Sequence, residues 1–108
     1  MKLGFFAANY AHLPLEEVAK IMVQYGYEMM EIPAYSGCEQ FNCDEMLKPG
    51  KAAELKKMLA GYGIEISALS NHADSLLILG PHTEDTDNLC PGTKEEKVKY
   101  GIENLLKT

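Results

Sequence analysis

The quartet Tyr25-Gly26-Tyr27-Glu28 returns along the chain as Tyr62-Gly63-Ile64-Glu65, each time between two runs of opposite periodicity. Before the first copy, Leu15, Val18, Ala19, Met22 and Tyr25 recur at helical spacing; before the second, Leu55, Met58, Leu59 and Tyr62 do the same. Each copy leads into a short strand-like run, Tyr27 to Ile32 closed by Pro33, and Ile64 to about Leu69. Glycine ends helices readily, so both quartets mark helix-to-strand junctions. A third copy, Tyr100-Gly101-Ile102-Glu103, reads as helix instead. Val98, Ile102, Leu105 and Leu106 keep the helical period, and the capping box Thr93-Lys94-Glu95-Glu96 lies too close upstream for a complete helix before it.

A first strand is expected in Leu3-Gly4-Phe5-Phe6-Ala7-Ala8, buried on both faces. Pro14-Leu15-Glu16-Glu17 then suits a first helical turn, with its acids at the positive end of the dipole. The chain therefore reads as one α/β domain over residues 1–108, made of three consecutive β-α units at about 1–26, 27–62 and 63–108. Its strands should be parallel, joined by right-handed crossovers and covered by helices. A long Pro-, Gly- and Asp-bearing loop is expected between the third strand and Thr93. The last helix runs to Lys107-Thr108 without a Gly or Pro stop, and no strand follows. Three parallel strands leave two open edges and a bare face, so a second copy, another chain or a continuation is expected to cover them.

The 108 residues are 46% hydrophobic, enough for a real core. Ten basic residues, all Lys, stand against 16 acids, giving a net charge of -6. Without Arg the chain lacks the planar fork that grips phosphates and guanine edges, and its field repels polyanions, so no nucleic-acid partner is expected. Lys56, Lys57, Lys94, Lys97, Lys99 and Lys107 are expected on solvated helix faces. Cys38, Cys43 and Cys90 form no C-x-x-C pair, which points to free thiols in a reducing cytoplasm. The remaining cysteine reading is a zinc site from Cys38, Cys43 and one His, at irregular spacing. The apolar run at the start is too short for a signal peptide and no stretch is long enough to span a membrane, so no membrane partner is expected.

In parallel strand-helix architectures, binding groups gather at the carboxyl ends of the strands. Three polar endings converge there: Asn9-Tyr10-Ala11-His12, Glu31 through Tyr35-Ser36, and Ser70-Asn71-His72-Ala73-Asp74. Imidazole, carboxamide, phenol and carboxylate groups suit the hydrogen-bonding of hydroxyls, and an imidazole or carboxylate can also move protons. His72, directly after a strand, is the catalytic candidate; Asn9, Tyr10, Glu31, Tyr35 and Asn71 are candidate substrate contacts. Each has a plainer reading: Asn71 and Asp74 as turn formers, Asn9 as a cap, Tyr10 and Tyr35 as packing residues. Glu31 stands out, since a carboxylate between Met30 and Ile32 is costly unless it faces a polar site. His12 is a weaker candidate and His82 reads as a loop residue. Glu28 and Glu65, at strand starts, lie on the opposite, stabilising face.

Met1 to Phe6, the junction Tyr25 to Ile32 and the run Ile64 to His72 together resemble the opening of the xylose-isomerase-like barrel superfamily, the sugar phosphate isomerases and epimerases. Leu79-Gly80-Pro81-His82, Pro91 to Lys97 and Tyr100 to Glu103 are similar to the third loop and helix of one bacterial branch. The resemblance implies the first part of a (β/α)8 TIM barrel acting on a small sugar. It places Asn71 and His72 in the substrate pocket, Glu31 on the sugar and Asn9 at the pocket floor. The principal metal ligands of that superfamily come from the fourth and later strands. Manganese, magnesium or zinc is thus implied for a completed barrel, with none expected for this chain alone. A non-catalytic half-barrel that self-associates or docks on a partner is the alternative. A zinc-dependent abasic-site endonuclease fragment is a second alternative, which the acidity and missing Arg disfavour.

Overall fold

Both quartets close a helix with the same pair of hydrogen bonds in the computed structural model, which describes residues 1–108. The elements run β1 (Gly4–Phe6), a 3-10 turn (Ala7–Tyr10), α1 (Leu15–Gln24), β2 (Met29–Pro33), α2 (Cys43–Met46), α3 (Lys51–Gly61), β3 (Glu65–Ser70), α4 (His72–Leu79), α5 (Glu84–Leu89) and α6 (Lys94–Leu105). After α1 the Tyr27 N–H donates to Met22 O at 3.1 Å and the Gly26 N–H to Val23 O at 3.2 Å. After α3 the Ile64 N–H donates to Leu59 O at 3.0 Å and the Gly63 N–H to Ala60 O at 2.9 Å. This double closure needs a left-handed residue, and Gly26 (φ 76°) and Gly63 (φ 73°) supply it. The third copy stays inside α6, as its periodicity requires.

The strands are parallel in the order β1-β2-β3. Gly4, Phe5 and Phe6 pair with Met29, Met30 and Glu31; Met29 and Met30 pair with Glu65 and Ile66, and Glu31 to Pro33 with Ala68 to Ser70. The jump from Ile66 to Ala68 makes Ser67 an extra residue, a bulge that sets Ala68 opposite Glu31. Met30 and Ile32 enter one core with Leu15, Val18, Ala19 and Met22 of α1, Leu59 of α3, and Phe41. Met22, Met30, Ile32 and Leu59 are at most 1% exposed, and each such side chain stabilises the fold by about 1.5–3 kcal/mol.

Several expectations need correction. β1 is not buried on both faces: Gly4 is exposed and Phe5 and Phe6 are half-buried, because no strand covers its outer edge. β3 is equally open, with Ser67, Ala68 and Leu69 exposed. The expected long loop contains α4 and α5. Asn71 caps α4 by accepting the Asp74 N–H at 3.1 Å, and Thr83 and Thr86 cap α5 reciprocally. α6 packs chiefly along α4, where the sequence suggested a helix laid on the sheet. Gly101 permits that contact, since a Cβ there would lie 2.8 Å from Asp74 O and 3.0 Å from Leu77 Cβ.

Lys97, expected on a solvated face, is 3% exposed. Its ammonium donates to Gly92 O at 2.6 Å and pairs with Asp87 of α5 at 2.5 Å, tying α5 to the start of α6. The helical lobe lengthens the molecule to 45 × 29 × 25 Å with a radius of gyration of 15.2 Å, against about 13 Å for a compact chain of this length. No helix is long and apolar enough to cross a membrane.

Candidate functional site

Parallel pairing puts the last residues of all three strands, Phe6, Pro33 and Ser70, on one side of the sheet. Because Met30 and Ile32 point into the core, the alternation turns Glu31 to the open face, in a cross-strand row with Phe6 and Ala68. That orientation resolves the cost of a carboxylate within an apolar strand. His72, the first residue of α4, reaches across this face and meets the Phe6 ring edge-on, with centroids 6.4 Å apart and planes at 82°. Phe6, Glu31 and His72 thus share the open face at the carboxyl end.

The other sequence candidates are dispersed. Asn9 is exposed in the 3-10 turn. Tyr10 stacks on Phe5, centroids 5.7 Å apart, and packs against the helix-side core, away from His72. Asn71 is engaged twice: Oδ1 caps α4 and Nδ2 donates to Thr108 Oγ1 at 3.0 Å. Tyr35 is half-buried in the loop after β2. His12 lies in the loop after β1, and His82 contacts Leu77 O at 2.9 Å within the helical lobe. At the amino end Glu65 pairs with Lys2, the stabilising placement its strand-start position implied.

The loop after β2 separates two clefts. Toward α4 and α6 lies a pocket of about 110 Å³ whose polar wall includes Ser36, Asp44, Asp74, Tyr100, Asn104 and Lys107. Asp74 is 1% exposed, and its carboxylate accepts the Ser36 N–H at 3.0 Å and the Ser36 hydroxyl at 2.7 Å. It also stands in the first turn of α4, where the dipole favours an anion. Asp74 therefore fixes the β2 loop to the start of α4 and so sets the spacing of Tyr35 and His72. Lys107 sits 3.0 Å from Asp44, whose hydrogen bond raises its pKa. Burial raises the pKa of the Cys43 thiol, keeping it protonated and a poor nucleophile.

Toward β1 lies an open cleft of about 380 Å³ whose walls include His12, Tyr35, Glu39 and Gln40. Gln40 Nε2 donates to Tyr10 O and Leu13 O, both at 2.8 Å, and to Ala7 O at 3.4 Å, pinning the loop after β1. Neither Gln40, Ser36 nor Asp74 as a tether was legible in the sequence. The only local signal was Asn71-x-x-Asp74, a cap followed by an acid in the first helical turn.

No three His, Cys, Asp or Glu side chains converge into a group able to hold a metal ion, and Cys38, Cys43 and Cys90 are free thiols. No protein-family model matches the sequence, and no curated protein is significantly similar to it.

Proposed function

We propose that this chain forms the first three β-α units of a (β/α)8 barrel of the sugar isomerase and epimerase type, and that its carboxyl-end face supplies part of a polyol-binding pocket. The observation that carries this reading is the sequential parallel order β1-β2-β3, whose open face bears Phe6, Glu31 and His72 while both outer edges stay unpaired. A carboxylate and an imidazole bind hydroxyls, an aromatic ring packs against the C–H face of a sugar, and His72 is the group placed to move a proton. Turnover belongs to the completed barrel, where further strands would add the ligands of a manganese, magnesium or zinc ion.

The test is NMR titration of the isotopically labelled chain with D-fructose and D-ribose. Shifts at His72, Glu31 and the loops after the strands are expected. Shifts confined to the amino end, around Lys2, Glu28 and Glu65, or no shifts at all, overturn the reading.

A second reading, a non-catalytic half-barrel that self-associates, draws on the β3 edge. Ile66 to Ser70 carry no charge, and an apolar cleft lined by Phe41, Met46, Leu55, Ile66 and Leu69 adjoins them. Exposed strands of this kind pair with other strands. Light scattering that finds a stable dimer, reduced to monomer by Ala68→Lys, supports it over the first reading; a monomer at all concentrations rejects it.

A further inference from the structure

Val98, Ile102, Leu105 and Leu106 set the helical period of α6, yet they are not the face that it buries. α6 turns buried Lys97 to Asp87 of α5 and buried Gly101 to Asp74 and Leu77 of α4. The apolar stripe is left at the surface: Ile102 is 43%, Leu105 42% and Leu106 83% exposed, and Val98 is half-buried. Amphipathic helices turn such a stripe toward a core, and an apolar strip left in water marks a surface that associates.

A shallow groove follows the stripe, edged by Lys94, Glu95, Lys99 and Glu103. Lys99 and Glu103 stand one turn apart on the same flank, 4.0 Å from each other and 79% and 60% exposed, so their mutual pairing is weak and both charged heads are open. From the stripe and this order of charges, we infer that α6 is the contact through which two copies of the chain associate, with the two helices antiparallel about a two-fold axis near Ile102. Turned end for end, the second helix lays its Leu105 on Val98 and brings its Glu103 to Lys99, and the two-fold axis repeats both contacts. A parallel pair would set each Lys99 level with the other Lys99 and lose that match. A uniformly acidic or basic partner would meet like charge on half of the rim, whereas a second copy complements all of it. The inference is independent of the polyol reading, and it moves self-association from the edge of β3 to the helical lobe.

The test is sedimentation equilibrium of the intact chain over a range of concentrations, with circular dichroism to separate a lost contact from a folding defect. A reversible equilibrium between monomer and dimer is expected. Ile102→Lys, at an exposed position, should weaken it about tenfold or more, since the two-fold axis doubles every loss. Lys99→Glu sets like charges together on both sides of the axis and should weaken it about fivefold. Adding Glu103→Lys to that variant should bring the wild-type affinity back. A dimer untouched by Ile102→Lys and dissolved by Ala68→Lys would overturn the inference in favour of the β3 edge, and a chain that stays monomeric throughout would overturn both. Loss on Lys99→Glu without rescue by the double charge change would overturn the antiparallel pairing.

Discussion

The imidazole of His72 stands edge-on to the ring of Phe6, centroids 6.4 Å apart, so the first residue of α4 touches the last residue of β1 across the whole sheet. β2 lies between them, and Glu31 occupies the row they span. An edge-to-face pair of this kind is worth about 0.5–1.5 kcal/mol beyond the area it covers. Phe6→Leu keeps an apolar side chain but removes the ring, and it should shift the imidazole proton resonances of His72 while costing little stability. Unchanged His72 resonances would mean that the ring lies elsewhere in solution.

Asp74 is the carboxylate that ties the loop after β2 to the start of α4. Asp74→Ala removes both acceptors from Ser36 and leaves its backbone N–H without a partner; hydrogen bonds to charged groups contribute about 1.5–3 kcal/mol each. Ser36→Ala removes one bond and keeps the backbone donor. Urea unfolding should therefore rank Asp74→Ala as clearly more damaging than Ser36→Ala. Equal midpoints for the two variants would deny Asp74 its tethering role.

What the sequence disclosed follows from the range of each interaction. The junctions at Gly26 and Gly63 and the Thr93-to-Glu96 box are local, and each was legible because its residues satisfy hydrogen bonds within one helical turn. α4 was hidden because Leu76-Leu77-Ile78-Leu79 is apolar all round: Leu77 is buried while Leu76 and Leu79 are 47% and 83% exposed, so no amphipathic period marks it. α5 was hidden because its cap pairs Thr83 with Thr86, where Glu or Gln is the usual sign. The positions of His72 at the end of β3 and of Glu31 on the open face were legible, the first from its place after the strand and the second from the cost of burying a carboxylate. The Ser36–Asp74 tether and the Gln40 clamp join residues far apart in the chain, and no local pattern encodes them.

Two glycines with the same neighbours should respond to substitution for different reasons. Gly101→Ala gains up to about 1 kcal/mol of helix propensity, yet its Cβ must enter space held by Asp74 O, Leu77 Cβ and, at 2.9 Å, Ile78 Cγ1. Overpacking of this kind costs about 1–3 kcal/mol, so a net loss is expected, located between α4 and α6. Gly63→Ala meets no atom within 4 Å but must hold φ near 73°, costing about 1–2 kcal/mol from backbone strain alone. Thermal unfolding should find both variants destabilised, and a second change, Ile78→Ala, should relieve only Gly101→Ala. Relief of both, or of neither, would reject this account of the helix contact.

The capping box of α6 gives the fold a pH dependence whose sign can be worked out. Glu96 accepts the Thr93 N–H at 2.7 Å, and this bond, with the Thr93 side chain, holds its carboxyl below the ordinary value of 4.5. A depressed pKa in the folded state means that the contribution is fully present above the ordinary value and fades as pH falls through the lowered one. Lys2 has the opposite sign: its hydrogen bond to Glu65 raises its pKa, so that contribution persists until the solution is strongly alkaline. The gap in urea midpoint between the wild type and Glu96→Ala should accordingly hold steady from neutral pH down to mild acid, then narrow as the carboxyl protonates. A gap that widens in acid would mean that Glu96 gains nothing from its charge at the helix start, and the box would act through Thr93 alone.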